Sequence, residues 1–199
     1  MKRKKGNPAY QTGKLIVISA PSGAGKTSII KKILNEFSEL VFSVSATTRK
    51  KRDNEKEGVD YFFISKEDFE RKIKKDEFVE FEKVYDYYYG TYKDFINENI
   101  NEGKSVLLEV DVKGALSLKK IYPESVLIYI VPPSFDALAE RLKKRQTEDE
   151  TDFNKRTKRA KMELSLKDKF DYFVVNKDLN KAILEVKEII SKILNKQRN

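Results

Sequence analysis

Residues 20–27 read Ala20-Pro21-Ser22-Gly23-Ala24-Gly25-Lys26-Thr27, a run of small and turn-forming residues ahead of one ammonium and one hydroxyl. That order suits a grip on a phosphate chain. Backbone N–H groups left unpaired at the start of a helix, helped by the helix dipole, cradle anionic oxygens. The lysine of such a turn reaches the terminal phosphates and the hydroxyl holds Mg²⁺. The spacing is that of the phosphate-binding P-loop at every position but its first glycine, here Ala20. An alanine fits if its φ is negative. An ordinary glycine-rich turn would need neither Lys26 nor Thr27.

The flanking residues are those such a turn requires. Leu15-Ile16-Val17-Ile18 is an unbroken apolar run, as in a strand buried on both faces, and Ile29, Ile30, Ile33, Leu34 and Phe37 recur at helical intervals. Further strands are expected at 41–44, 61–64, 105–111, 126–131 and 172–175. Helices are expected from Ser65, from Val112 to about Ile121, after a Ser134 cap, and from about Leu179, where Ile183, Val186, Ile190, Ile193 and Leu194 share a face. Strands alternating with helices predict a mostly parallel sheet covered on both sides. The rhythm breaks at 46–61, a polar and charged stretch, and at 77–92, whose alternation predicts a strand with a turn near Gly90. Together these form a small β-rich insertion.

Composition removes whole classes of chemistry. The 199 residues contain no cysteine and no histidine, so disulfides, thiolate metal sites and imidazole catalysis are out. Carboxylates, Lys, Arg, hydroxyls and bound ions remain. No apolar stretch reaches membrane-spanning length and the basic start lacks a signal-peptide apolar region, which predicts a cytoplasmic protein with no membrane partner. Lys and Arg number 41 against 32 Asp and Glu, a net charge of +9 that suits an anionic partner. The basic residues are spread over most of the chain, which argues against nucleic acid and favours a small phosphorylated substrate.

Within and after the insertion, Ser45, Arg49, Arg52, Tyr61, Glu80, Tyr89-Gly90-Thr91, Glu109 and Asp111 follow in that order. Here the sequence resembles guanylate kinase, from about Lys14 to Leu194. The resemblance implies transfer of the ATP γ-phosphoryl group to GMP with Mg²⁺, on an α/β P-loop kinase core carrying a GMP-binding insertion and a helical lid. It implies an ATP side made of Ala20 to Thr27, Arg141 and Asn176. Arg49, Arg52, Tyr61 and Tyr89 would bind the GMP phosphate, and Ser45, Glu80 and Thr91 would read guanine, with Asp111 beside them. Guanidinium forks pair bidentately with phosphate, and a carboxylate accepts from both N1–H and the amino group of guanine. Lys26, Arg145 and Arg156 would be catalytic, the two arginines closing on the transferring phosphate. Thr27 would hold Mg²⁺, with Glu109, where the family usually has Asp, acting near the metal through water.

These readings divide the chain into a basic tail (1–13), a core (14–45, 97–140 and 166–199), an insertion (46–96) and a lid (141–165). Three alternatives stand beside them: a guanylate-kinase-like module that binds phosphorylated peptides without catalysis, a kinase for another nucleoside monophosphate, and a nucleic-acid binder. The oligomeric state is open between monomer and homodimer.

Overall fold

The computed structural model describes residues 13–143 and 150–198. The core opens with strand β1 (Leu15–Ser19), helix α1 (Lys26–Glu36) and β2 (Leu40–Ser43). The insertion contributes β3 (Ala46–Thr47), β4 (Phe62–Phe63), α2 (Lys66–Lys74), β5 (Phe78–Val84) and β6 (Tyr87–Tyr92). The chain continues through α3 (Lys93–Asn101), β7 (Ser105–Val110), α4 (Val112–Ile121), β8 (Val126–Val131), α5 (Phe135–Lys143), α6 (Glu150–Leu164), β9 (Tyr172–Val175) and α7 (Leu179–Arg198).

Five strands in the order β2-β7-β1-β8-β9 form one sheet in which every neighbouring pair is parallel. Strand β1 shows why its sequence is apolar throughout. Ile16 and Ile18 face a core built with Ile29, Ile30 and Ile33 of α1 and Val186 and Ile190 of α7. Leu15 and Val17 face the opposite layer, where Ile96 of α3 and Ala115 and Leu118 of α4 close the other side. Both faces are dry, so no polar position is left on this run.

The second sheet, β4-β3-β6-β5, has a small aromatic core of its own. The Phe69 ring of α2 stacks on Phe78 at 4.5 Å and on Tyr88 at 5.3 Å. The hairpin turns at Tyr85 and Asp86, with Tyr85 at φ 56°, and not near Gly90. Gly90 is mid-strand, opposite Ala46 and Phe81. A Cβ there would come within 2.9 Å of the Phe69 ring and 3.1 Å of Phe78. The glycine answers a packing demand, which resembles a turn signal in sequence. Helix α3 follows directly on β6, a segment expected to end in a turn near Gly90, and is not among the expected helices. The expected caps are present: Ser65 Oγ accepts from Asp68 N at 3.0 Å and Ser134 Oγ from Ala137 N at 3.1 Å.

Candidate active site

The chain leaves β1 through a tight turn in which Gly23 and Gly25 take φ values of 89° and 92°. Ala20 is not among the residues with positive φ, so the departure from the P-loop pattern leaves the backbone path undisturbed. The turn delivers the first N–H groups of α1 to the end of the sheet. Asn176, just beyond β9, braces it: its Nδ2 donates to Ala24 O at 2.7 Å, and its own N–H is fixed on Val131 O at 2.8 Å. A Cβ on Gly25 would lie 2.5 Å from that Nδ2, so the second glycine is required by both φ and space. Arg141 of α5 donates to Asn176 O at 2.9 Å, and Arg156 of α6 to Ser22 Oγ at 2.7 Å. Arg141 and Arg156 thus reach the turn after β1 or its brace. Arg145 and most of the basic tail lie outside the described residues.

Lys26 Nζ donates to Val110 O at 3.0 Å and sits 3.5 Å from Glu109 Oε1. Thr27 Oγ1 donates to the same carboxylate oxygen at 3.1 Å. Among the described residues no group of three acids could hold a metal by itself. A hydroxyl and one carboxylate are hard oxygen donors of the kind Mg²⁺ takes together with phosphate oxygens and water, so the pair fits a nucleotide-borne ion.

Across the cleft, β5 and β6 place Glu80 opposite Thr91. Thr91 Oγ1, fully buried, donates to Glu80 Oε1 at 2.5 Å. Burial, with Asp111 nearby and against the Thr91 hydrogen bond, pushes the Glu80 carboxyl up to about 7. Asp111 caps α4, accepting from Gly114 N at 2.7 Å. A Cβ on Gly114 would come within 2.6 Å of Glu80 Oε2 and 3.2 Å of Asp111 Oδ1, so this glycine lets two carboxylates share one space. The turn from Ala20 to Thr27 lines a single cleft of about 310 Å³ together with Ser45, Tyr61, Glu80, Tyr89 and Asp111.

Arg49 and Arg52 border an adjoining cleft that shares Thr27, Tyr61, Tyr89 and Glu109 with the first. Arg49 is already engaged: its two terminal nitrogens donate to Glu55 at 3.0 and 2.8 Å, and its guanidinium lies 5.5 Å from the Tyr61 ring centroid. Glu55 also accepts from Arg52 N at 2.9 Å, which holds the basic loop in shape. Burial pushes the Tyr61 hydroxyl up, so it stays a proton donor.

Sequence reasoning missed Glu82, Tyr85, Arg159 and Glu163, all of which line the first cleft. Two signals were available. Glu82 is two residues from Glu80 on the same face of β5, and Arg159 and Glu163 are one helical turn apart. Burial, with neighbouring Asp111, pushes the Glu82 carboxyl up, against the charges of Arg159 and Lys113.

A phosphate-cradling turn facing a buried carboxylate and hydroxyl pair defines an enzyme class only loosely, and the comparison with known families narrows it. The family model described as guanylate kinase matches residues 12–193. The chain belongs to the guanylate kinase family. The guanylate kinase of Thermotoga maritima is 51% identical over 178 residues, covering 89% of this chain and 86% of that protein. The guanylate kinase of Clostridioides difficile is 46% identical over 184 residues, covering 92% of this chain and 90% of that one. The crystal structure of guanylate kinase from Anaplasma phagocytophilum matches with a TM-score of 0.76 at 31% identity, over 91% of this chain and 86% of that chain. In guanylate kinase terms, then, this is a P-loop core with the five-stranded parallel sheet described above.

Proposed function

We infer that this guanylate kinase transfers the γ-phosphoryl group of ATP to GMP, giving ADP and GDP. The observation that carries the reading is that the Ala20–Thr27 turn and Glu80, hydrogen-bonded by the buried Thr91, line one cleft. The turn suits a triphosphate. The pair suits guanine, whose N1–H and amino group both donate, whereas adenine has no donor at N1.

The chemistry asked of the chain is alignment and charge neutralisation, since the acceptor is already an anion and needs no strong base. In this reading the N–H groups of residues 22–27 and Lys26 hold the β- and γ-phosphates, while Arg141 and Asn176 support the adenosine side. Thr27, with Glu109 acting through water, would hold Mg²⁺, which when bound would supply positive charge to offset that of the phosphates. Arg49, Arg52, Tyr61 and Tyr89 take the GMP phosphate, Ser45, Glu80 and Thr91 read the base, and Asp111 stands beside them. Arg156, with Arg145 from the lid, completes the positive charge around the transferring group. The domain scheme that goes with this is core 14–45, 97–140 and 166–199, insertion 46–96 and lid 141–165. A cytoplasmic site for the reaction belongs to the same reading, and no helix among the described residues is long and apolar enough to cross a membrane.

The test is ADP production from Mg-ATP with GMP, AMP, UMP and CMP offered separately. Turnover with GMP that disappears in Lys26→Met is the expected result. Tight GMP binding without turnover on any acceptor would replace the enzyme by a binding module.

A further inference from the structure

Arg159 stands outside every role assigned above, yet its guanidinium forms ion pairs with three carboxylates. It lies on α6, three residues beyond Arg156. Its Nη2 donates to Asp111 Oδ2 at 2.8 Å and to Glu82 Oε1 at 3.2 Å, and its Nε to Glu163 Oε1 at 2.6 Å. Its guanidinium also lies 5.9 Å from the ring centroid of Tyr85, in the hairpin turn. One side chain therefore joins α6, the start of α4 and the β5–β6 hairpin.

Apolar packing of α6 against α5 is carried by other residues. Ala160, Phe153 and Leu164 already pack α6 with Leu138 and Leu142 of α5. Arg159 points the other way, into the cleft it lines with Glu80, Glu82 and Tyr85, and its side chain is only 19% exposed. Asp111 is the link to the base-reading group. One oxygen of its carboxylate takes Arg159, while the other caps α4 in the space that Gly114 leaves beside Glu80. Glu82 is held between Arg159 at 3.2 Å and Lys113 at 3.6 Å. Without the guanidinium, Asp111, Glu82 and Glu163 would lose their shared partner, leaving Lys113 beside Glu82 and the charge of Lys26 acting on Asp111 and Glu163. A partly buried network broken at its hub leaves its partners uncompensated.

We propose that Arg159 is a positioning residue for the acceptor pocket: through Asp111 and Glu82 it fixes the carboxylate wall beside Glu80 and ties that wall to α6, so acceptor binding and lid-helix position are set together. This rests on the reading of Glu80 and Asp111 as GMP-side groups. The experiment is calorimetric titration of GMP, and separately of a non-hydrolysable ATP analogue, into wild type, Arg159→Gln, Glu82→Gln and the double variant, with melting curves for each. Arg159→Gln is expected to weaken GMP by about tenfold, a mid-range value for coupling through a shared charge network. The ATP analogue should bind within about twofold of wild type, and the effects of Arg159→Gln and Glu82→Gln on GMP should fail to add.

Arg159→Lys keeps a charge on the helix without the planar fork, and is expected to recover only part of the loss. It also carries the test if the glutamine variant does not fold, because a lysine variant with wild-type GMP affinity overturns the proposal. Equal weakening of GMP and the ATP analogue overturns it too, since that is the mark of a general structural role. A wild-type protein that binds no GMP defeats the acceptor reading itself. A wild type that binds GMP, beside an Arg159→Gln protein within about twofold of it, defeats this proposal alone.

Discussion

Lowering the pH should weaken GMP binding while stabilising the empty protein, and both effects trace to Glu80. Its ordinary value is 4.5 and the folded protein raises it to about 7, chiefly by burial. The ionised form is therefore disfavoured by folding, to a limit of about 3 kcal/mol. That penalty is complete above pH 7 and is relieved as the pH falls from 7 towards 4.5, so the contribution to stability rises on acidification. GMP needs the opposite state, because a protonated carboxyl cannot accept from both N1–H and the amino group. With a value near 7, about ten in eleven molecules are ionised at pH 8 and about one in eleven at pH 6, which weakens GMP about tenfold. The GMP phosphate titrates at about 6 as well. The assay is accordingly the Kd for GMP from about pH 6 to 8 in wild type and in Glu80→Gln, whose profile keeps the contributions of the phosphate and of Glu82 and lacks only that of Glu80. A wild-type profile no steeper than that of the glutamine variant would refute the reasoning.

Arg156→Ala should lower kcat by about 10³-fold, the low end for arginines that act on a transferring phosphate, with GMP affinity little changed; stopped-flow turnover within a few-fold of wild type would remove it from the reaction. Gly114→Ala, whose new Cβ would meet Glu80 Oε2 at 2.6 Å, should raise the KM for GMP and leave that for ATP alone, which initial rates with each substrate varied in turn would reveal. Phe69→Ala should destabilise the insertion by about 3–5 kcal/mol, since the ring is fully buried between Phe78 and Tyr88; amide exchange should show the loss in residues 46–92 before the core responds.

The core was legible because its signals are local. An apolar strand, a glycine turn, a Lys-Thr pair and a helix follow one another between Leu15 and Phe37, and each demands the next. The turn at Tyr85 and the strand position of Gly90 were not, because the reason lies in Phe69 and Phe78, which reach Gly90 only in three dimensions. Of the proposed site, the phosphate-cradling role of the turn rests on spacing, and the GMP-side assignments rest on resemblance. What neither supplies is the set of internal pairings. Glu55 under Arg49, and Glu82 and Glu163 under Arg159, are ordinary surface acids in one dimension and become partners through the fold.

Those pairings bear on how fast nucleotides arrive. Lys26 rests against Glu109, Arg49 against Glu55, and Arg159 against Asp111 and Glu82. An incoming phosphate thus meets no bare cation at these three positions and must trade places with a carboxylate. These pairs lower the local potential in the cleft, while the net charge of +9, which already counts them, still draws anions at long range. Free inorganic phosphate has no base for Glu80 to hold and gains little from such an exchange, whereas a nucleotide recovers at its base what its phosphate gives up.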